Sequence, residues 1–170
     1  LSNHRAWAGG AWTVSAHGAA FTRTPQAQAR AEALAGPAPA PSEALPKAEA
    51  IAFAARAAEA LALEGGGADV ALVWLPEPDT SYHYAGIGSA TADAALAAAD
   101  AAFARLLAAA RSGPRGDRTA VIALSDHGQI TISGRFDLEA AMRADGLAAA
   151  FRPGPEDRLA LTVGSSGEIR

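Results

Sequence analysis

Two stretches carry the clearest pattern of apolar and polar positions. Val70-Ala71-Leu72-Val73-Trp74-Leu75 is an unbroken apolar run, and Thr119-Ala120-Val121-Ile122-Ala123-Leu124 is a second, rich in β-branched residues. Short runs without alternation suit strands buried on both faces, as in the parallel sheet of an α/β protein. Pro76 and Pro78 break the first run, and Gly128 marks a turn after the second. Between them the helical period takes over. Ala92 to Ala110 reads as a helix with Thr91 as its cap, Asp93 in its first turn and a buried stripe of Leu96, Ala99, Phe103, Leu106 and Ala110. Strand, helix and strand at this spacing make a βαβ crossover, so both strands run parallel and end at one edge of a sheet.

The rest of the chain is read around this unit. Trp12 to Ala16 has the β-formers of a short strand, and Gln26 to Leu34 is a short helix with Thr24 and Pro25 at its start. Gly36 through Pro46 is rich in Pro and Ala and reads as an exposed loop internal to a single domain spanning 1–170. Lys47 to Leu63 is a helix stopped by Gly65-Gly66-Gly67, with Ile51, Ala54, Ala58 and Leu61 on one stripe. Gln129 to Ser133 alternates like a strand. Asp137 to Ala144 is a helix capped by Asp137 and closed by Gly146. Residues 148–152 and 159–163 suit a hairpin around Pro153-Gly154-Pro155.

Composition narrows the class. The 170 residues are half hydrophobic, but only 6% are aromatic and much of the remainder is alanine, which favours helix and buries little area per residue. A net charge of −4 is not the basic footprint of a nucleic-acid binder. The absence of cysteine removes disulfides and thiolate metal sites, and leaves cytoplasm and periplasm both open. No apolar run approaches the ~20 residues of a membrane span. The chain opens on Leu1 and closes on Gly-Glu-Ile-Arg, and so reads as a piece of a longer protein.

The chemistry sits just past the two apolar runs. Asp79 and His83 follow the first, and Asp126 and His127 follow the second. In open α/β sheets, ligands bind beyond the carboxyl ends of the strands. Two carboxylates and two imidazoles without cysteine suit Zn, Mn or Fe in a mixed N/O site. Four such groups hold most of a two-metal centre of the kind used for in-line displacement at phosphorus. His4 and His17 have no partner at a metal-ligand spacing and read as surface or hydrogen-bonded residues. Glu77 reads as a solvated loop charge, Trp74 as a packing residue, and Tyr82 and Tyr84 as packing around the loop or touching substrate.

Pro76 to Gly86 (PEPDTSYHYAG) and Leu124 to Gly128 (LSDHG) resemble two signatures of the type I phosphodiesterase / nucleotide pyrophosphatase family, within the alkaline phosphatase superfamily. Asp137 to Leu147 adds to the likeness, which runs from about Pro46 to Leu147. The resemblance implies an α/β fold, a parallel-sheet βαβ core of the alkaline phosphatase-like kind with helices on both faces. It implies two divalent ions, zinc with manganese or iron as alternatives, one held by Asp79 and His83 and the other by Asp126 and His127. It implies a small phosphodiester or nucleotide substrate, attacked by a Thr or Ser hydroxyl to give a covalent intermediate that water releases. The family's Asp on the first strand, its nucleophile and its late His do not occur here with their motifs, which places them outside the chain and leaves it without a catalytic residue of its own. Phe21 to Pro25 has a superficial likeness to the nucleophile segment, but Thr24 reads better as a helix cap. The alternatives are a sister activity (phosphonate or sulfate ester hydrolysis, or phosphate transfer of the phosphomutase kind) and a non-catalytic module that keeps the fold to bind a partner.

Overall fold

The structure is a computed structural model that describes Val14, residues 25–64 and residues 68–161. The expected strand 12–16 (Val14 apart), His4, His17, Thr24, the 65–67 glycines and the end of the expected hairpin lie outside the described residues. The described residues are helix-rich with a small parallel sheet, consistent with an α/β fold. They fall in two compact units, 1–131 and 132–170.

In the first unit, helix α1 spans Pro25–Ala35 and α2 spans Ala48–Ala58, with α2 running on as a wide π turn over Glu59–Glu64. Helix α3 is Asp79–Ala85 and α4 is Ala90–Ser112. The core is built on α2. Phe53 and Ala57 meet Val14, Ala27 and Ala31, while Ile51 and Ala55 meet Ala102 with Leu75, Ala98, Ala99 and Leu106 at the edge. Seven of the eleven residues of α2 are buried, so it has contacts on two sides where one stripe was expected. On α4 the expected stripe holds in part: Ala110 is buried and Ala99 and Leu106 pack against the core, but Leu96 is 50% exposed, and Ala92, Ala95, Ala102 and Ala109 are buried as well. Alanine lets two helix backbones approach closely, and α4 turns its small face to α2 for that reason. The cap is Ser89 rather than Thr91, its Oγ accepting from the Ala92 N–H at 3.1 Å.

Neither apolar run is assigned to a strand among the described residues, and the expected burial on both faces is not found. Val70 is 83% exposed and Leu124 87% exposed; Leu72, Val121 and Ile122 are exposed too. Leu75 is covered by the α2–α4 cluster, but the described residues place no second layer over the outer face. One side chain ties together the segments that precede the two runs. Arg115, just before the second, donates to the Ala68 carbonyl at 2.5 Å and pairs with Asp69 at 3.2 Å. A turn of 3-10 helix, Gly116–Arg118, leads out of α4. A Cβ at Gly116 would lie 2.0 Å from the Arg111 carbonyl oxygen, so only glycine fits there. Residues 129–133, expected as a strand, carry no strand assignment, and Ile130 is 89% exposed.

In the second unit, helix α5 is Leu138–Ala144, and the Asp137 carboxylate caps it by accepting from the Ala140 N–H at 2.9 Å. Strand β1, Ala149–Ala150, pairs with β2, Leu159–Ala160, in parallel, so the expected hairpin is not formed. Side chains redirect the connection. Glu139 accepts from the Phe151 N–H at 3.0 Å and draws the chain toward α5 after β1. Asp157 accepts from the Gly154 N–H at 2.8 Å and from Arg143 at 2.6 Å, which folds the Pro-rich segment into a turn before β2.

Candidate active site

The site begins where Pro76 and Pro78 end the first run. Pro78 occupies the cap position of α3, where the N–H it lacks would have no helical partner. Asp79 to His83 is therefore a helix, not the loop expected from the prolines. Residues four apart lie on one face of a helix, and Asp79 Oδ1 stands 3.4 Å from His83 Nε2. Gly86 ends α3 at a φ of +86°, its N–H donating to the Tyr82 carbonyl.

Glu77 holds this helix in place. Expected as a solvated charge, it is 4% exposed. One carboxylate oxygen accepts from the Lys47 N–H and the other from the Ser81 N–H, both at 2.9 Å. One buried carboxylate thus satisfies amides at the starts of α2 and α3, where free N–H groups favour a negative charge.

The second run delivers its residues to the same place. Asp126 Oδ1 accepts from the His127 N–H at 3.0 Å, and the Ser125 hydroxyl donates to the His127 carbonyl. His127 Nε2 lies 3.6 Å from Asp126 Oδ2 and 3.8 Å from Asp79 Oδ1. Asp79, His83, Asp126 and His127 thus converge, with Asp79 reaching both imidazoles.

Sequence reasoning missed Gln129. Its Nε2 donates to Asp79 Oδ1 at 3.1 Å and lies 3.0 Å from His83 Nε2. An amide carries no ionisable group, and the apparent alternation of 129–133 disguised it as a strand residue. The site is open: side-chain exposure runs from 46% for Asp79 to 63% for His83. Asp79, Thr80, His83 and Tyr84 line an open depression of about 580 Å³. Tyr84 is 81% exposed at its rim, Tyr82 and Trp74 are half-buried, and Thr80 Oγ1 donates to the Pro76 carbonyl at 2.9 Å. Among the described residues, no three His, Asp or Glu side chains form a group able to hold a metal ion.

The family model for type I phosphodiesterase / nucleotide pyrophosphatase matches residues 2–168, nearly the whole chain. The chain belongs to that family. Membership indicates a hydrolase of the phosphodiesterase or pyrophosphatase type, and the match extends the likeness on both sides of the segment 46–147. No curated protein and no solved structure matches the chain. Among the described residues no helix is long and apolar enough to cross a membrane.

Proposed function

We propose that this chain supplies the metal-ligating part of a hydrolase that cleaves phosphodiester or pyrophosphate bonds in small molecules such as nucleotides. The observation that carries the reading is the convergence of Asp79, His83, Asp126 and His127 from two segments more than forty residues apart. Two carboxylates and two imidazoles are a donor set for zinc, with manganese or iron as substitutes. Within each pair the separation, 3.4 Å for Asp79–His83 and 3.6 Å for Asp126–His127, is near that of two ligands on one ion. Ligands on a tetrahedral ion at ~2.1 Å stand about 3.4 Å apart. Asp79 and His83 would hold one ion, and Asp126 and His127 the other. When bound, such a pair stabilises the attacking and leaving oxygens of an in-line displacement.

The chain's own residues prepare that chemistry. Asp79 Oδ1 lies within 3.8 Å of both imidazoles. The depression beside it, with Thr80 and Tyr84, admits a phosphate ester against the ligand edge. The two hydroxyls nearest the ligands are directed at backbone carbonyls, Thr80 at Pro76 and Ser125 at His127. Neither is the attacking group, which on this reading comes from outside residues 1–170. The chain alone then binds metal without turning over.

Calorimetric titration with zinc and with manganese tests the reading, on the chain and on an Asp126→Ala/His127→Ala variant. Saturable binding that the double substitution weakens at least tenfold is expected. A chain that takes up neither metal, or a variant that binds like the parent, contradicts it.

A further inference from the structure

Glu77 lies two residues before Asp79, and the metal-ligating reading makes no use of it. Among the described residues it is the only acidic side chain that is buried. A carboxylate is costly to bury unless its oxygens are paired, and both are: one accepts from the Lys47 N–H and the other from the Ser81 N–H. It is therefore closed off from substrate and touches none of the four proposed ligands. What it does for them depends on where its two amides lie.

Lys47 stands at the cap position of α2 and makes no side-chain cap of its own. With seven of its eleven residues buried, α2 is the element on which the core of its unit is built. Ser81 is fully buried at the middle of α3. A helix turns about 100° per residue, so Ser81 lies about 160° around α3 from both Asp79 and His83. The anchored face is the back of the face that carries the two candidate ligands. At ~5 Å from the helix axis, a rotation of α3 by about 20° would carry their side chains about 2 Å. That is large beside the 3.8 Å between Asp79 Oδ1 and His127 Nε2, and functional groups work within about 0.5 Å of their productive geometry. The Thr80 N–H and hydroxyl both return to the Pro76 carbonyl and stay within the segment, whereas Glu77 reaches thirty residues back to α2.

We propose that Glu77 is a positioning residue of the hydrolase: it sets the rotation of α3 against the core helix α2, so that the Asp79–His83 edge meets Asp126 and His127. The inference rests on the metal-dependent reading above and adds to it a residue that holds no metal. Stability and placement separate in measurement. An anchor that only stabilises changes how much chain is folded, whereas a positioning residue changes how well the folded chain binds.

The test compares zinc affinity with stability, on the whole chain and with zinc alone as the probe. Calorimetric titrations are run on the parent, Glu77→Ala, Glu77→Gln and Phe53→Ala, under conditions where circular dichroism shows each to be folded. Phe53 packs in the cluster of α2 with α1, apart from α3, so its truncation costs stability without touching the anchor. Glu77→Ala is expected to bind zinc at least tenfold more weakly than the parent, Glu77→Gln to fall between them, and Phe53→Ala to bind within about twofold of the parent. Should an alanine variant not fold, Glu77→Gln and Phe53→Leu make the same comparison. If the Glu77 variants bind as tightly as the parent, or if the Phe53 variant loses as much affinity as its Glu77 counterpart, Glu77 serves the fold alone; the positioning role is overturned and the metal reading stands. A folded parent that binds no zinc overturns both.

Discussion

Removing the Glu77 carboxylate should loosen two helices at once. Each of its oxygens accepts one backbone N–H at 2.9 Å, from Lys47 and from Ser81, and the side chain is 4% exposed. Hydrogen bonds to a charged group contribute about 1.5–3 kcal/mol each, and an amide left buried without a partner costs about 1–3 kcal/mol. Against this stands the desolvation of the carboxylate, which Glu77→Ala relieves. The balance is a loss of about 3 kcal/mol for Glu77→Ala. Glu77→Gln should cost about half as much, because one carbonyl oxygen still accepts while its NH₂ faces a second donor. For a chain of this size 1 kcal/mol corresponds to roughly 2–4 °C, so alanine should lower the midpoint by about 6–12 °C. Urea denaturation followed by circular dichroism gives the total. Hydrogen exchange at the Lys47 and Ser81 amides gives the location, and both should lose protection together. A cost for Glu77→Ala below about 0.5 kcal/mol, or protection lost at only one amide, would refute the double anchor.

Other expectations follow from the packing and the caps. Phe53→Ala should cost about 3–5 kcal/mol in thermal or urea unfolding and Leu96→Ala well under 1, since Phe53 is fully buried and Leu96 half exposed; comparable costs would restore the sequence-derived stripe. Ser89→Ala should lose about 1 kcal/mol and Thr91→Ala only a few tenths, a contrast that unfolding midpoints resolve. In the second unit, the Gly154 N–H and then the Arg143 guanidinium hold the Asp157 carboxyl below the usual carboxylate range, while Asp157 raises the Arg143 guanidinium further. The folded-state value is the lower one. The stabilisation is therefore present above the ordinary value of about 4 and is lost as pH falls through the depressed one. Carbon-detected titration of Asp157 checks this: a midpoint below that of Asp157 in the urea-unfolded chain is expected, and an equal midpoint contradicts it.

The proximity of the four candidate residues was legible because their types are chemically specific and they follow the two apolar runs. Asp79 and His83 at i, i+4, and Asp126 and His127 past the second run, were readable as one site once the helix between the runs implied a parallel course. Helices α2, α4 and α5 were readable too, to within a few residues, from alanine content, caps and glycine stops. What failed depended on contacts that no local pattern records. The stripe of α4 was misjudged at Leu96, which is exposed while the neighbouring alanines Ala92 and Ala95 are buried. Pro76 and Pro78 suggested a loop because proline ends a strand, yet Pro78 also suits the start of a helix. Glu77 looked solvated because its two partners, the Lys47 and Ser81 amides, are backbone groups that any sequence supplies. Burial of the apolar runs was misjudged because a strand's composition shows that it wants cover on both faces, not which residues provide it.

The central claim is that the two segments form one metal-binding edge, and the imidazoles of His83 and His127 report on it directly. Long-range ¹H–¹⁵N spectra of the two rings should be recorded while zinc is titrated into the folded chain. The account predicts that Nε2 of both residues moves together into the metal-bound range, and that Asp79→Asn weakens both responses because Asp79 lies within 3.8 Å of each ring. If only one imidazole responds, or if Asp79→Asn leaves one of them untouched, the two segments do not share a site and the account is contradicted.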